Sequence, residues 1–170
     1  ESPSIAPGAE SASVPGWEVS AQSGNARVWH AADTGLWNWY MPEGSNVLAV
    51  STQDGDGVRV WQNLSEPLRP DARYELAVWA GMPIHHAQFP WPQVTIALWA
   101  GAQRLGVVDV PEPKIHPHHG VWIRNVLTIR TPLQVEPVDQ LRVELQIAGV
   151  GTADACFDAI TLTVCEAKPR

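Results

Sequence analysis

Apolar and polar residues alternate along many short segments of the chain, a pattern typical of β-strands with one buried face. The clearest segment runs from Arg73 to Gly81. One of its faces is apolar and comprises Tyr74, Leu76, Val78 and Ala80. The opposite face comprises Glu75, Ala77 and Trp79. This segment is therefore predicted to be a strand that lies on a hydrophobic core.

Nine further segments have similar patterns and are separated by clusters of Gly, Pro, Asn and Asp. The ten predicted strands cover residues 17–19, 26–30, 46–51, 58–64, 73–81, 93–100, 104–110, 121–130, 141–147 and 157–164. Ala100-Gly101-Ala102-Gln103 is predicted to form a tight hairpin turn. The 15 prolines disfavour helices in most connections. We therefore predict an all-β fold, a two-sheet antiparallel sandwich.

Three predicted strands place a tryptophan on their polar face. These residues are Trp61, Trp79 and Trp99. Large aromatic rings on an outward face are unusual, and they mark these faces as candidate binding surfaces.

Four segments resemble a known family in their order and spacing. They are Pro15-Gly16-Trp17, the stretch from Val60 to Trp79, the hairpin from Val94 to Gly106, and Phe157-Asp158-Ala159-Ile160-Thr161-Leu162. Together they are similar to the galactose-binding-like jelly rolls, especially carbohydrate-binding modules of families 4 and 9 and related bacterial extracellular domains. The resemblance covers about residues 10–164.

The resemblance implies which strands share a sheet. Strands 58–64, 93–100, 104–110 and 141–147 would form one sheet, and Trp79 would lie on the other. The family's sugar cleft lies on the first of these sheets. Its outward positions include Arg59, Trp61, Asn63, Trp99, Arg142, Glu144 and Gln146.

These seven residues have the chemistry of a sugar site, because indole rings stack on pyranose C–H groups while amides, carboxylates and guanidinium groups pair with hydroxyls. The alternative is that the rings are covered by other segments and serve only in packing. A second aromatic cluster comprises Trp29-His30 and the loop Leu36-Trp37-Asn38-Trp39-Tyr40. Such loops either contact a ligand or bury their own rings.

Histidines are concentrated in two loops. They are His85, His86, His116, His118 and His119. In a jelly roll these loops emerge at the same end as Asp54, Asp56 and Asp154, so imidazole and carboxylate groups there could hold Zn or Cu. Their spacing is not diagnostic of a metal. The alternative is that they are ordinary polar loop residues, or that they form a binding surface at the end of the sandwich together with Trp91.

The resemblance also implies a structural calcium site. Asp158 matches the acidic residue at the start of the family's last strand, and Glu10 falls where the family has an N-terminal acid. Ala159 departs from the pattern, since many relatives have a second acid or Asn there. Such an ion would join the start of the chain to its last strand.

The composition indicates one globular domain of 170 residues. A net charge of −7 argues against a nucleic-acid partner, and no apolar run approaches the roughly 20 residues of a membrane span. We predict an extended lead-in over residues 1–9, a single jelly-roll domain over 10–165 and a tail over 166–170. A secreted, periplasmic or cell-surface protein is expected, with any signal peptide already removed.

The two cysteines, Cys156 and Cys165, lie nine positions apart. In one extended strand they would be roughly 30 Å apart, whereas a disulfide needs Cα atoms within about 7 Å. Two free thiols are therefore predicted.

No catalytic motif is present: the chain lacks Gly-x-Ser-x-Gly, HExxH and a phosphate-binding glycine loop. We therefore expect no enzyme activity. The first hypothesis is a non-catalytic carbohydrate-binding domain with a glycan ligand. The alternative is a structural or protein-interaction subunit of an extracellular assembly, whose Trp and His loops contact a protein partner.

Overall fold

A computed structural model describes residues 10–11, 14, 16–21, 24–30, 42–44, 46–52, 57–82, 91–112, 121–138, 140–149 and 153–166. Regular structure within these ranges consists of eleven β-strands and no helix. They are β1 (Glu10–Ser11), β2 (Glu18–Ala21), β3 (Gly24–His30), β4 (Asn46–Thr52), β5 (Val58–Leu64), β6 (Ala72–Met82), β7 (Gln93–Ala100), β8 (Gln103–Val110), β9 (Val121–Arg130), β10 (Leu141–Ala148) and β11 (Ala153–Glu166). No helix long and apolar enough to cross a membrane occurs in these ranges.

The strands form two antiparallel sheets. The six-stranded sheet has the order β1-β3-β4-β11-β6-β9, and the five-stranded sheet has the order β2-β5-β10-β7-β8. The strands predicted to share a sheet, β5, β7, β8 and β10, do so, and Trp79 lies on the other sheet. The predicted all-β jelly-roll sandwich is confirmed.

The core lies between the sheets and is built from one side of each strand. In β6 the apolar face Tyr74, Leu76, Val78 and Ala80 is almost fully buried. It faces Val94, Ile96 and Leu98 of β7 and Leu141, Val143, Leu145 and Ile147 of β10 across one hydrophobic cluster. The alternation in the sequence thus produces the core directly, because successive side chains of a strand point to opposite faces.

The hairpin between β7 and β8 has the predicted two-residue turn. Gly101 has a φ of 55°, in the left-handed region that favours glycine. The turn keeps Trp99 paired with Arg104 across the two strands.

The structure extends the last strand beyond its prediction. β11 begins at Ala153, four residues before the predicted start, because residues 153–157 pair with β4. Ala-Asp-Ala-Cys has no β-branched residue, so the local sequence does not indicate a strand. Cys156 is buried and Cys165 exposed, and both are free as predicted.

Candidate functional site

The outward side of the five-stranded sheet, called here the five-strand face, brings the seven predicted ligand residues together. They lie in three adjacent rows: Asn63, Arg142 and Trp99; Trp61, Glu144 and Ala97; and Arg59, Gln146 and Thr95. The predicted placement on one face is confirmed, because the register of β5, β10 and β7 aligns these positions.

Some polar groups of the five-strand face contact one another, whereas Trp99 Nε1 and Arg142 Nε are buried with no hydrogen-bond partner in the described part of the chain. The Arg142 guanidinium lies 4.8 Å from the centre of the Trp99 ring, and its Nη2 is 3.7 Å from Glu144 Oε2. Asn63 Nδ2 donates a hydrogen bond to Glu18 Oε1 at 2.8 Å. Glu144, predicted to face a ligand, is only 8% exposed. Its carboxylate is therefore held mainly within the protein.

Several other predicted site residues lie outside the described residues. These are Trp37, Trp39, His85, His86, His116, His118 and His119. Trp91 is described: it is half-buried against the core and donates a hydrogen bond from Nε1 to the Val110 carbonyl at 3.4 Å. Its contacts are those of a packing residue at the start of β7.

The outward side of the six-stranded sheet carries a second group of polar and aromatic residues around β11. Because Ala155 and Phe157 lie in the core, the alternating residues Asp154, Cys156 and Asp158 point outward. Across the strands Cys156 pairs with Gly81, and Asp158 pairs with Trp79. Arg27 and Trp122 lie in the same row as Cys156. We call this group, Arg27, Trp79, Trp122, Asp154, Cys156 and Asp158, the β11 face.

The thiol at the centre of the β11 face is neutral. Burial raises the pKa of Cys156 far above its ordinary value, and the nearby Asp154 carboxylate raises it further, while Arg27 lowers it. A buried thiol of this kind is a poor nucleophile, because the reactive form is the thiolate. The acidic groups of the β11 face are thus its candidates for chemistry.

Asp158 is a half-buried carboxylate at a distortion of the strand. Its Oδ2 accepts a hydrogen bond from Glu43 N at 2.9 Å and its Oδ1 accepts one from Ala159 N at 2.8 Å. Burial raises the pKa of Asp158, against the two hydrogen bonds, which lower it, and the Glu43 charge raises it further. No cationic side chain is among these influences. Its charged form therefore lacks a compensating cation among the described residues.

The backbone beside Asp158 is strained. Ala159 has a φ of 45°, and the register with β6 shifts between Asp158 and Thr161. Two residues of β11 therefore stand opposite one residue of β6, which is a β-bulge. A positive φ at a residue with a side chain costs energy and is enriched at functional sites.

The predicted calcium pair is not brought side by side. Glu10 pairs with Trp29 of β3, Trp29 pairs with Val47 of β4, and β4 pairs with β11. Three strand spacings, about 14 Å, therefore separate Glu10 from Asp158. Among the residues that the structure describes, no three His, Cys, Asp or Glu side chains form a metal-binding group.

Sequence reasoning missed Asp154, Gly81 and Trp122 as members of one site. The prediction started the last strand at Phe157, so Asp154 was expected in a loop. Trp122 meets Gly81 only through the pairing of β6 with β9, and neither residue has a local signal for that contact. Strict alternation counted back from Phe157 would have placed Asp154, Cys156 and Asp158 on one face.

Comparison with known proteins identifies the class. Residues 1–163 match the profile of the HpiC1-like family, described as HpiC1 cyclase. A search of curated protein sequences finds no significant match to the chain.

Solved structures share the fold. The apo form of a cyclase from Fischerella sp. superposes with a TM-score of 0.78 at 19% identity, over 97% of this chain and 91% of that one. A cyclase from Fischerella sp. TAU in complex with 4-(1H-indol-3-yl)butan-2-one has a TM-score of 0.75 at 19% identity, over 94% and 90% of the two chains. A family 4 carbohydrate-binding module has a TM-score of 0.55 at 14% identity, over 88% and 94%.

The fold and the family match define a jelly-roll β-sandwich of a cyclase family. The chain belongs to the HpiC1-like family. The resemblance to carbohydrate-binding modules is confirmed at the level of the fold, since such modules are among the structural neighbours.

The functional expectations drawn from that resemblance are wrong. The family is one of cyclases, so neither the non-catalytic carbohydrate-binding domain nor the alternative, a structural or protein-interaction subunit, describes the chain. The expectation of no enzyme activity is wrong for the same reason. The expected glycan or protein partner is wrong as well, since the family is one of cyclases. The error has a physical cause: a fold and an outward aromatic face do not specify a ligand, because one fold hosts unrelated sites.

Proposed function

We propose that the protein is a cyclase that closes a ring in a small indole-bearing molecule at the β11 face. The family match over residues 1–163 carries this proposal. The β11 face supports it with the right chemical groups: two indole rings, Trp79 and Trp122, lie on the same outward side as two carboxyl groups. Flat aromatic rings stack on one another, and a positioned carboxyl group is a common proton donor.

Asp154 is the proton donor in this proposal. It is half-buried and lies on the β11 face next to Cys156. Asp158 is less suited, because both of its oxygens already accept hydrogen bonds from backbone N–H groups.

The reaction is balanced without a further reactant. Asp154 donates its proton to an unsaturated carbon of the substrate, and the resulting cation is attacked by the indole ring, which forms the new carbon–carbon bond. The indole carbon then loses a proton to the Asp154 carboxylate, so the product is an isomer of the substrate. The indole rings of the site stabilise the cation through their negative faces.

The test detects the conversion of a substrate into an isomer of the same mass. We expect the purified protein to convert at least one member of a panel of indoles with alkene side chains, detected by chromatography and NMR. Asp154→Asn should lower the rate by roughly 10²–10⁴-fold, the usual contribution of a general acid, while leaving 4-(1H-indol-3-yl)butan-2-one binding unchanged. Asp109→Asn is a matched control, since Asp109 is exposed on the edge strand of the other sheet. No conversion and no binding by the unaltered protein would contradict the proposal.

A structural calcium ion at Asp158 is the second part of the proposal. The half-buried Asp158 carboxylate, with Glu43 as a charged neighbour, fits a hard cation that would stabilise its ionised form. Bound calcium would fasten the strained start of the bulge to the segment at Glu43. Glu10 is left out, because the strand register separates it from Asp158.

Calcium removal tests this assignment. EDTA should lower the melting temperature and added calcium should restore it, because an ion that binds only the native state stabilises that state. Asp158→Asn should abolish the calcium response, whereas Asp154→Asn should retain it. Identical melting curves with EDTA and with calcium would remove the ion from the proposal.

Three further expectations stay predictions. They are the location outside the cytoplasm, the domain boundaries at residues 10 and 165, and a Zn or Cu site at the histidine loops.

A further inference from the structure

A close approach of two strands shapes the β11 face at Gly81. A Cβ atom added to Gly81 would lie 2.6 Å from the Val121 carbonyl oxygen and 2.7 Å from Cδ2 and Cε3 of Trp122. Distances this short do not occur in proteins, so the Trp122 indole rests directly on the Gly81 backbone. The glycine is required here for space, since its φ is not positive.

The position of Gly81 determines where the Trp122 ring lies. Gly81 stands between Trp122 on β9 and Cys156 on β11 in one row across the sheet. A side chain at Gly81 would keep an indole from lying flat across that row. The next row holds Trp79 and Asp158, so the Trp122 ring at Gly81 lies beside the row that carries a second indole and an acidic residue.

We propose that Gly81 and Trp122 together are the specificity-determining pair of the β11 face. Because Gly81 has no side chain, the Trp122 indole lies against the sheet, and this leaves room for a two-ring planar ligand that lies parallel to the sheet. This inference rests on the proposed function, because it concerns the same site. Gly81 is a positioning residue and acts through Trp122. Trp122 contacts the ligand.

The preference between a two-ring and a one-ring probe tests the pair. The two probes are 4-(1H-indol-3-yl)butan-2-one and 4-phenylbutan-2-one, which differ in the ring system alone. Trp122→Leu should weaken binding of the indole probe roughly tenfold and of the phenyl probe clearly less, because the larger ring loses more stacking area. Gly81→Ala should reduce the same preference with Trp122 still present. Calorimetric titration measures both affinities.

The control is another buried close contact of a glycine. A Cβ at Gly106 would lie 2.9 Å from Ile129 Cδ1, the flexible end of a side chain that packs against the core between the sheets and not on the outward β11 face. Gly106→Ala should therefore leave the probe preference unchanged. If Gly81→Ala does not fold, because the Val121 carbonyl cannot move, Trp122→Leu decides the matter alone.

The outcomes separate the two proposals. Loss of the indole preference in the folded variants supports the Gly81–Trp122 pair. If the unaltered protein prefers the indole probe and Trp122→Leu retains that preference, the pair is overturned while the proposed function stands. If the unaltered protein binds neither probe, the proposed substrate class is overturned, and this inference with it.

Discussion

At the scale of single residues, the surroundings of Asp158 and Asp154 give two acids of one strand different roles. Asp158 is bound by two backbone N–H groups at a strained bulge, and burial raises its pKa. Asp154 lies four positions earlier, on the same outward face and beside the buried Cys156 thiol. The first environment suits an anchoring carboxylate, and the proposed function gives the second acid the proton transfer.

The raised pKa of Asp158 predicts a pH dependence of stability without calcium. The native state takes up a proton at Asp158 at a higher pH than the unfolded chain does, so this group destabilises the protein at neutral pH and less so as the pH falls through its folded pKa. In EDTA, Asp158→Asn should therefore be more stable than the unaltered protein at pH 7, with the difference shrinking toward pH 4. Denaturant titrations at several pH values measure this difference in the free energy of unfolding.

Calcium should invert this comparison. With the ion bound, the ionised carboxylate is favoured, and Asp158→Asn should become the less stable protein at pH 7. Equal stabilities of the two proteins at every pH, with and without calcium, would show that Asp158 carries no unfavourable charge.

Tyr74 is the residue whose hydroxyl joins the core to a loop. It is fully buried, accepts a hydrogen bond from Arg69 N at 2.8 Å and donates one to the Pro67 carbonyl at 3.4 Å. Tyr74→Phe should lower the free energy of unfolding by about 1–2 kcal/mol, because the Arg69 N–H loses its acceptor. Urea unfolding measures this change, and an unchanged midpoint would contradict the role given to the hydroxyl.

At the scale of elements, turn chemistry and strand pairing determine different features. The β7–β8 turn is local and depends on the positive φ of Gly101. The start of β11 is non-local, since residues 153–157 are strand only because β4 pairs with them. Both features determine which side chains reach the outward faces of the sheets. The turn sets the register of Trp99, and the pairing with β4 directs Asp154 outward.

Substitution of Gly101 tests the turn. Gly101→Ala should cost about 1–2 kcal/mol, because a side chain disfavours the left-handed conformation, and Gly101→Asn should cost less. Gly57→Ala is the control, since Gly57 has no positive φ and a Cβ there would meet only the Ile147 carbonyl oxygen, at 3.5 Å. Thermal unfolding of the three variants measures the order. Equal losses for Gly101→Ala and Gly57→Ala would show that the conformation of Gly101 is not what matters.

At the scale of the whole molecule, the sandwich exposes two polar and aromatic faces, one on each sheet. On the five-strand face Arg142 lies over Trp99 and near Glu144, while Trp99 Nε1 and Arg142 Nε are buried with no hydrogen-bond partner among the described residues. The β11 face combines indole rings with a neutral thiol and two carboxyl groups. No guanidinium group among the described residues neutralises Asp158. The proposed function assigns the ligand to the β11 face, because carboxyl groups and two indole rings lie together there.

Truncation of one aromatic ring on each face tests that assignment. Trp61→Ala on the five-strand face should leave affinity for the indole ketone unchanged, although the half-buried ring is lost. Trp122→Ala on the β11 face should weaken the same affinity roughly tenfold. The reverse result, with the loss at Trp61, would move the site to the five-strand face. Circular dichroism checks that both variants keep the fold.

The two-residue period of the sequence determined most of the architecture. Alternating residues such as Leu76 and Val78 commit a segment to a strand with one buried face, because only that arrangement removes the apolar side chains from water. The nine Trp residues made an aromatic outward surface predictable as well. The sugar ligand inferred from that surface was wrong, because outward aromatic and polar groups suit many ligands.

Only the tertiary structure decided which side chains meet. Gly81, Trp122 and Cys156 come from three strands far apart in the chain, and their contact depends on the register of β6 with β9 and β11. Register is set by the packing of all strands at once, and a shift of one residue would turn every side chain of a strand to the other face. The sequence thus determined the faces of the strands, whereas the joint packing of the two sheets decided that Trp122 lies on Gly81 in the row next to Trp79 and Asp158.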